Sequence, residues 1–225
     1  MPTLDRKISR LIALLTVLVS AALTSCSSPS NLFLEVPPTS YRHEGDPLPP
    51  VLVEMGSDKR PSYQRGTRQY PGNSWLSSDD VIEPTDVTLL RTLARDLRES
   101  RLSPQANLSD RESPLRLRVD ILELGAVSGD GVESLTLVLP TSGTAASISL
   151  RLRFEDDVGR LFLDSPFTDT QNRSGFPFLG ADSRKVEALA AGIRSVIDLA
   201  LPAMAAAYER FWRDNRPDSV PGAGN

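Results

Sequence analysis

Ala146-Ser147-Ile148-Ser149-Leu150-Arg151-Leu152-Arg153-Phe154 alternates small or apolar residues with polar and basic ones over nine positions. Successive side chains of a β-strand point to opposite faces, so this period of two defines a strand with one face buried and the other in water. Asp156-Asp157-Val158-Gly159 follows with turn residues, and Arg160 to Leu163 can return as a second strand. Residues 145–164 are therefore expected to form a β-hairpin, the signature of antiparallel sheet.

Working outward, Leu115, Leu117, Val119 and Ile121 alternate with Arg116, Arg118 and Asp120, and then Leu122 and Leu124 fall out of phase. That pattern is a half-buried strand with a bulge near Ile121. Val51 to Met55 and Val132 to Leu139 read as further apolar strands, and Leu32 to Val36 as a short opening strand. Leu89, Leu90, Leu93, Ala94 and Leu97 recur at helical spacing behind Thr85, the expected cap of a helix ending near Arg101. A longer apolar stripe runs from Val186 through Leu189, Ile193, Val196, Met204 and Tyr208 to Phe211, with Asp182 or Ser183 as its cap. Pro202 interrupts it and is expected to kink or split that helix, freeing the second half.

These elements define an α+β fold: a mostly antiparallel sheet of about five strands with two helices packed on one face. Gly56 to Pro84 is rich in Pro, Gly, Ser and Arg yet holds aromatics, so it reads as a packed irregular segment with one short hairpin between Tyr63 and Tyr70. Phe167 to Leu179 reads as a long loop carrying an unusual apolar load in Phe167, Phe176, Pro177 and Phe178.

The first residues set the compartment. Arg6, Lys7 and Arg10 precede an apolar run from Leu11 to Leu23, which closes on Leu23-Thr24-Ser25-Cys26. A basic start, a short apolar stretch and small residues before a cysteine constitute a bacterial lipoprotein signal, and the run is too short for the ~20 residues a bilayer-crossing helix needs. Residues 1–25 are thus expected to be removed and Cys26 to carry the lipid, with 26–31 as a tether, 32–214 as a single periplasmic domain and 215–225 as a frayed tail. Several acyl chains at ~0.8 kcal/mol per buried methylene make a lasting anchor. Ser27 and Ser28 stand where inner-membrane retention usually places aspartate, which favours the outer membrane, facing the periplasm.

The full chain has 25 basic and 29 acidic residues; without its first 25 residues it keeps 22 and 28, a net charge of −6. Nucleic acid, which rewards clustered Lys and Arg, is an unsuitable partner. Cys26 and His43 are the only cysteine and histidine, which excludes a zinc site built from several such ligands. No G-x-S-x-G elbow surrounds a serine, and Gly125 to Gly131 lacks the ending of a phosphate loop. His43 with Glu44, Asp46 and either Ser40 or Ser57 reads as a solvated Pro-rich loop rather than a triad. Asp156, Asp157, Asp164, Asp169 and Asn172 match no EF-hand spacing and read as turn and surface residues. The expectation is a non-enzyme with no cofactor, no metal site and no catalytic residue. Aromatic and arginine side chains are enriched at binding hot spots, so Tyr63, Arg65, Arg68, Tyr70 and Trp75 form the candidate partner-binding set, with core packing as its alternative.

The order of elements resembles the ABC-type transport auxiliary lipoproteins, a family that includes paraquat-inducible protein C. The resemblance rests on Leu32-Phe33-Leu34, on Tyr63-Gln64-Arg65-Gly66 with Tyr70 and Trp75, on Leu115 to Leu124 and Ser149 to Gly159, and on Ala188-Leu189-Ala190-Ala191. Against that pattern the stretches Gly125 to Gly131, Thr141 to Thr144 and Phe167 to Gly180 look elongated. The resemblance implies an accessory of trans-envelope lipid transport, working with an MCE-type protein and an inner-membrane transporter. The alternatives at the same location are an assembly or activator lipoprotein for lipopolysaccharide insertion, secretion or peptidoglycan synthesis and, more remotely, an envelope hydrolase. The expected partners are the membrane, through the anchor, and an MCE-type protein or other envelope machinery; a homo-oligomer is left open.

Overall fold

A computed structural model of the chain describes residues 32–65, 73–76, 80–129, 142–175 and 181–214. The hairpin that opens the sequence reading is longer than its alternation suggested: β4 (Ser142–Asp156) pairs antiparallel with β5 (Leu161–Gly175) through fifteen-residue strands. β3 (Leu115–Gly129) pairs antiparallel with β4 on its other side, and β1 (Val51–Asp58) and β2 (Asn73–Leu76) share the far edge of β3. The strand order is β1-β3-β4-β5, with β2 beside the upper half of β3.

β1 runs parallel to β3, Val51 opposite Leu115 and Met55 opposite Val119, so the sheet is mixed. Its direction follows from the connection: after β1 the chain turns back along β3 as β2, passes through helix α1 (Thr85–Glu99) and enters β3 at the end where β1 began. A crossover of that length permits parallel pairing, which a tight hairpin forbids.

Along β3, Leu115, Leu117, Val119 and Ile121 are buried; the register then slips between Ile121 and Glu123, and Leu124 and Ala126 regain the inner face. This is the expected bulge. On β4, Ala146, Ile148, Leu150, Leu152 and Phe154 all point inward. Helices α1 and α2 (Ala181–Asp214) cover this inner face and touch each other over it. The outer face, which no described helix covers, carries a lattice of ion pairs: Glu54–Arg118 at 2.8 Å, Arg118–Glu155 at 3.2 Å, Asp120–Arg153 at 3.3 Å and Arg151–Asp164 at 2.6 Å. Opposite charges on neighbouring strands stabilise a solvated face modestly and keep it soluble.

Several expectations are corrected. Phe167 to Gly175 is not a loop but the far part of β5, and Gly125 to Gly129 and Ser142 to Thr144 are the ends of β3 and β4 beside it; Phe176, Pro177 and Phe178 lie outside the described residues. Beyond Phe167 their inner positions are small or polar, as in the buried Ser128–Thr144 hydroxyl pair at 2.9 Å, so the apolar signal fades while the strand continues. Phe167 sits half-buried on the inner face opposite Leu150. Leu32 to Val36 is not a strand but one parallel bridge, Leu32 to Val81, followed by an irregular run with Leu34 and Val36 buried.

Thr85 does not cap α1; Pro84 holds that position, and the Thr85 hydroxyl accepts a 2.7 Å hydrogen bond from the buried Arg60 guanidinium. α1 ends with Arg101 at φ 64°, the left-handed conformation that turns the chain back so that the Ser103 amide reaches the Leu97 carbonyl at 2.9 Å.

Pro202 does not split α2, which runs as one helix of 34 residues. Its second half stays on the sheet because Tyr208 packs on Phe154 and Phe162, and Phe211 on Phe162 at 4.6 Å between ring centroids. By length and composition α2 is apolar enough to cross a membrane, but 61% of its apolar window is buried inside the domain, which makes it a core helix. The expected strand over 132–139, the residues up to 31 and the tail from 215 lie outside the described residues.

Candidate interaction site

The stretch preceding β1 is positioned by charge. Asp96 of α1 is fully buried and accepts a hydrogen bond from Arg95 at 2.9 Å and a short one from Arg194 of α2. Arg194 also donates to the Pro37 carbonyl at 2.9 Å and pairs with Asp198, whose carboxylate takes the Thr39 hydroxyl at 2.6 Å. Arg95 reaches the carbonyls of Val36 and Pro37 at 3.0 and 3.1 Å. Five side chains from two helices and the first described segment thus clamp residues 36–39. The segment then descends beside α1, with the His43 amide on the Ser100 carbonyl and Leu48 on Leu102.

The candidate set from Tyr63 to Trp75 divides. Tyr63 lies in a short 3-10 turn, Ser62–Gln64, and exposed Arg65 closes it; Trp75 is in β2 opposite Val127. Arg68 and Tyr70 lie outside the described residues, as does most of the expected hairpin, whose opening residues are this turn instead. What meets is Gln64 and Trp75, over Gly125 of β3: a Cβ there would come within 3.1 Å of Gln64 and 3.2 Å of Trp75. The Gln64 side-chain Oε1 accepts the Leu124 amide at 3.0 Å. β1 pairs with β3 as far as Ile121 and β2 only from Ala126, so Gln64 fills the gap in the ladder between them. Trp75 and Gln64 thus pack over Gly125, while Arg65 remains at the surface.

The other groups do not converge. His43 meets the Asp46 carbonyl at 3.0 Å and the Tyr41 hydroxyl at 3.4 Å, while Ser57 donates to Asp120 on the outer sheet face. Asp156 closes its own turn, accepting the amides of Val158 and Arg160 and pairing with the Arg160 side chain at 2.5 Å. Burial raises its pKa, but the hydrogen bonds from Arg160 outweigh that and hold the carboxyl below the ordinary aspartate range. Asp164 is lowered by its hydrogen bonds with Arg151. Among the described residues no three His, Cys, Asp or Glu side chains gather to hold a metal ion.

A concave site does form where the Pro-rich loop meets the end of α2. A cleft of about 580 Å³ is lined by Asp46, Pro47, Pro49, Tyr208, Glu209, Trp212 and Arg213. Behind it runs a chain of edge-on rings, Phe162 to Tyr208 at 5.6 Å and Tyr208 to Trp212 at 5.9 Å between centroids. Such contacts add about 0.5–1.5 kcal/mol each beyond area. Burial raises the Tyr208 phenol, and burial followed by the Glu209 charge raises that of Tyr41. Gly45 admits the loop here, since a Cβ would stand 2.9 Å from the His43 ring. Trp212 remains 49% exposed at the mouth. The sequence reading missed this site because Tyr208 and Phe211 lie on the stripe that marks the core; the signal was the pairing of Tyr208 with Trp212, one turn apart, at the end of that stripe.

The class of protein that emerges is an α+β domain with a mixed five-stranded sheet, both helices on one face, an ion-paired outer face and an aromatic cleft at one end. No protein-family model matches the chain, and no curated protein matches it in sequence. Among solved structures it is similar to the DUF330 protein XCC0632 from Xanthomonas campestris, with a TM-score of 0.52 and 13% identity, covering 81% of this chain and 98% of that one. At that identity the likeness is one of fold. Weaker similarities extend to an uncharacterized protein, with a TM-score of 0.42, 18% identity and coverage of 77% of this chain and 99% of that one, and to a minor lipoprotein from Acinetobacter baumannii, with a TM-score of 0.37, 12% identity and coverage of 71% and 94%.

Proposed function

We propose that the chain is a non-enzymatic lipoprotein, anchored through Cys26 in the outer membrane and facing the periplasm, that serves a trans-envelope lipid-transport system of the ABC/MCE type. The observation that carries this reading is polarity along the molecule. The chain enters at the head of α1, where Leu32 bridges Val81, and the aromatic cleft lies beside the last two turns of α2, where the Pro-rich loop passes the far end of α1. A domain clamped next to its tether and presenting an aromatic, proline-lined cleft at its far end is suited to hold a partner away from the membrane. Trp212 and Tyr208 supply the anchor chemistry typical of protein interfaces.

Replacing Cys26 with alanine tests the tether. The variant domain should fold as before, because its core begins at Leu34, but it should no longer sustain the outer-membrane barrier at native expression. Full barrier function from the untethered chain would overturn the reading. An assembly or activator role for other envelope machinery shares the anchor and differs in the partner alone.

A further inference from the structure

Phe33 and Ile82 are both large, apolar and more than half exposed, at 59% and 62%. They are also neighbours. Leu32 bridges Val81 in parallel and the Ile82 amide donates to the Leu32 carbonyl at 3.0 Å, so the next residue on each segment turns to the same, outer side. Leu34 and Val36 alternate inward and confirm that phase. Val87, 43% exposed, opens the outer ridge of α1 one turn before Arg91, which lines a groove together with Phe33. Two exposed apolar side chains therefore adjoin where the chain enters the domain, and exposed Val87 follows on the first turn of α1.

Only Ser27 to Leu32 separate Phe33 from Cys26, a span of at most about 25 Å when fully extended. We propose that Phe33, Ile82 and Val87 are a membrane-contact surface that rests in the headgroup region of the phospholipid leaflet holding the Cys26 lipid; this rests on the lipoprotein reading. The contact is apolar rather than electrostatic. The guanidiniums beside Phe33 are engaged within the domain, Arg91 by Glu83, Arg95 by Asp96 and Arg98 by the Ala106 carbonyl at 2.8 Å.

The test couples the chain from Cys26 to Asn225, through the Cys26 thiol, to a maleimide lipid in phosphatidylethanolamine–phosphatidylglycerol vesicles doped with a photoactivatable phosphatidylethanolamine. Peptide mapping then locates the lipid adducts. Residues 32–36 and 80–90 should be labelled several-fold more than 156–163, and salt raised to ~0.5 M, where the Debye length is only several ångströms, should leave this unchanged. The double variant Phe33→Ser with Ile82→Ser, its fold checked by circular dichroism, should lose the enrichment. Even labelling, labelling centred on Val158 or Trp212, loss in salt, or an unaltered pattern in the double variant would each overturn the proposal. Chemical coupling makes the result independent of natural acylation, which the intact mass of the protein from its own envelope decides separately.

Discussion

Asp96→Ala should loosen the clamp that fixes the chain where it enters the domain, and its cost follows from the geometry. The Asp96 carboxylate is wholly buried and binds two guanidiniums, Arg95 at 2.9 Å and Arg194 more closely. Removing one partner of a buried pair costs about 3–5 kcal/mol because the other charge is stranded. Here Arg194 keeps Asp198 and the Pro37 carbonyl, both at 2.9 Å, and Arg95 keeps the Val36 and Pro37 carbonyls. Alanine is also the better helix former. The lower end of the range applies, about 3 kcal/mol, equivalent to roughly 6–12 °C in Tm for a domain of this size. Urea unfolding followed by circular dichroism reads the global cost, and amide exchange at residues 34–39 should accelerate more than exchange within β4. Arg151→Ala, which breaks an exposed pair on the outer sheet face, is the comparison and should cost far less than Asp96→Ala. A loss below about 1 kcal/mol for Asp96→Ala, or unchanged exchange at 34–39, would refute the view that these ion pairs hold the entry segment.

Further expectations concern packing, pH and the cleft. Gly192 lies where a Cβ would stand 2.1 Å from the Ile148 terminal carbon, so Gly192→Ala should push α2 off the sheet and lower stability by about 1–2 kcal/mol despite alanine's helix propensity, measured by urea unfolding. Asp58 and Asp156 both have lowered pKa values, because the hydrogen bonds of Arg60 and Arg160 outweigh the upward push of burial. The stability they contribute is complete above the ordinary aspartate pKa of 3.8 and should be lost as pH falls below it, so an acid titration of Tm should show a steeper fall in the wild type than in Asp156→Asn. Trp212→Ala should leave Tm within a few degrees and reduce capture of the proposed partner by tenfold or more, as expected when a hot-spot tryptophan is truncated.

The sequence was most legible where one period dominates. The β4 alternation, the β3 bulge at Ile121 and the helical stripes of α1 and α2 all follow from apolar side chains at fixed spacing, and the structure has them in those places. It was least legible where pairing depends on residues far away in the chain. Nothing local to Val51-Leu52-Val53 says whether β1 lies parallel or antiparallel to β3; the crossover through α1 decides that. The far halves of β3 to β5 were hidden because their inner positions are Ser128, Thr144, Asp169 and Gln171, whose polarity reads as loop. Pro202 argued for a broken helix, yet the ring cluster around Tyr208 holds the helix down. Of the candidate site, Trp75 could be singled out but its contact with Gly125 could not, since that glycine lies fifty residues later. The cleft was invisible because it joins a proline loop near residue 48 to a helix end near residue 212.

The partner decides the function, and one measurement reaches it directly: capture of the protein in mild detergent from the cells that make it, followed by mass spectrometry of what co-purifies, with Trp212→Ala as the parallel sample. The expected result is an MCE-type protein with its inner-membrane transporter in the wild-type sample, strongly depleted in the variant. Recovery of barrel-assembly, secretion or peptidoglycan proteins instead, with no MCE-type protein, would contradict the lipid-transport role.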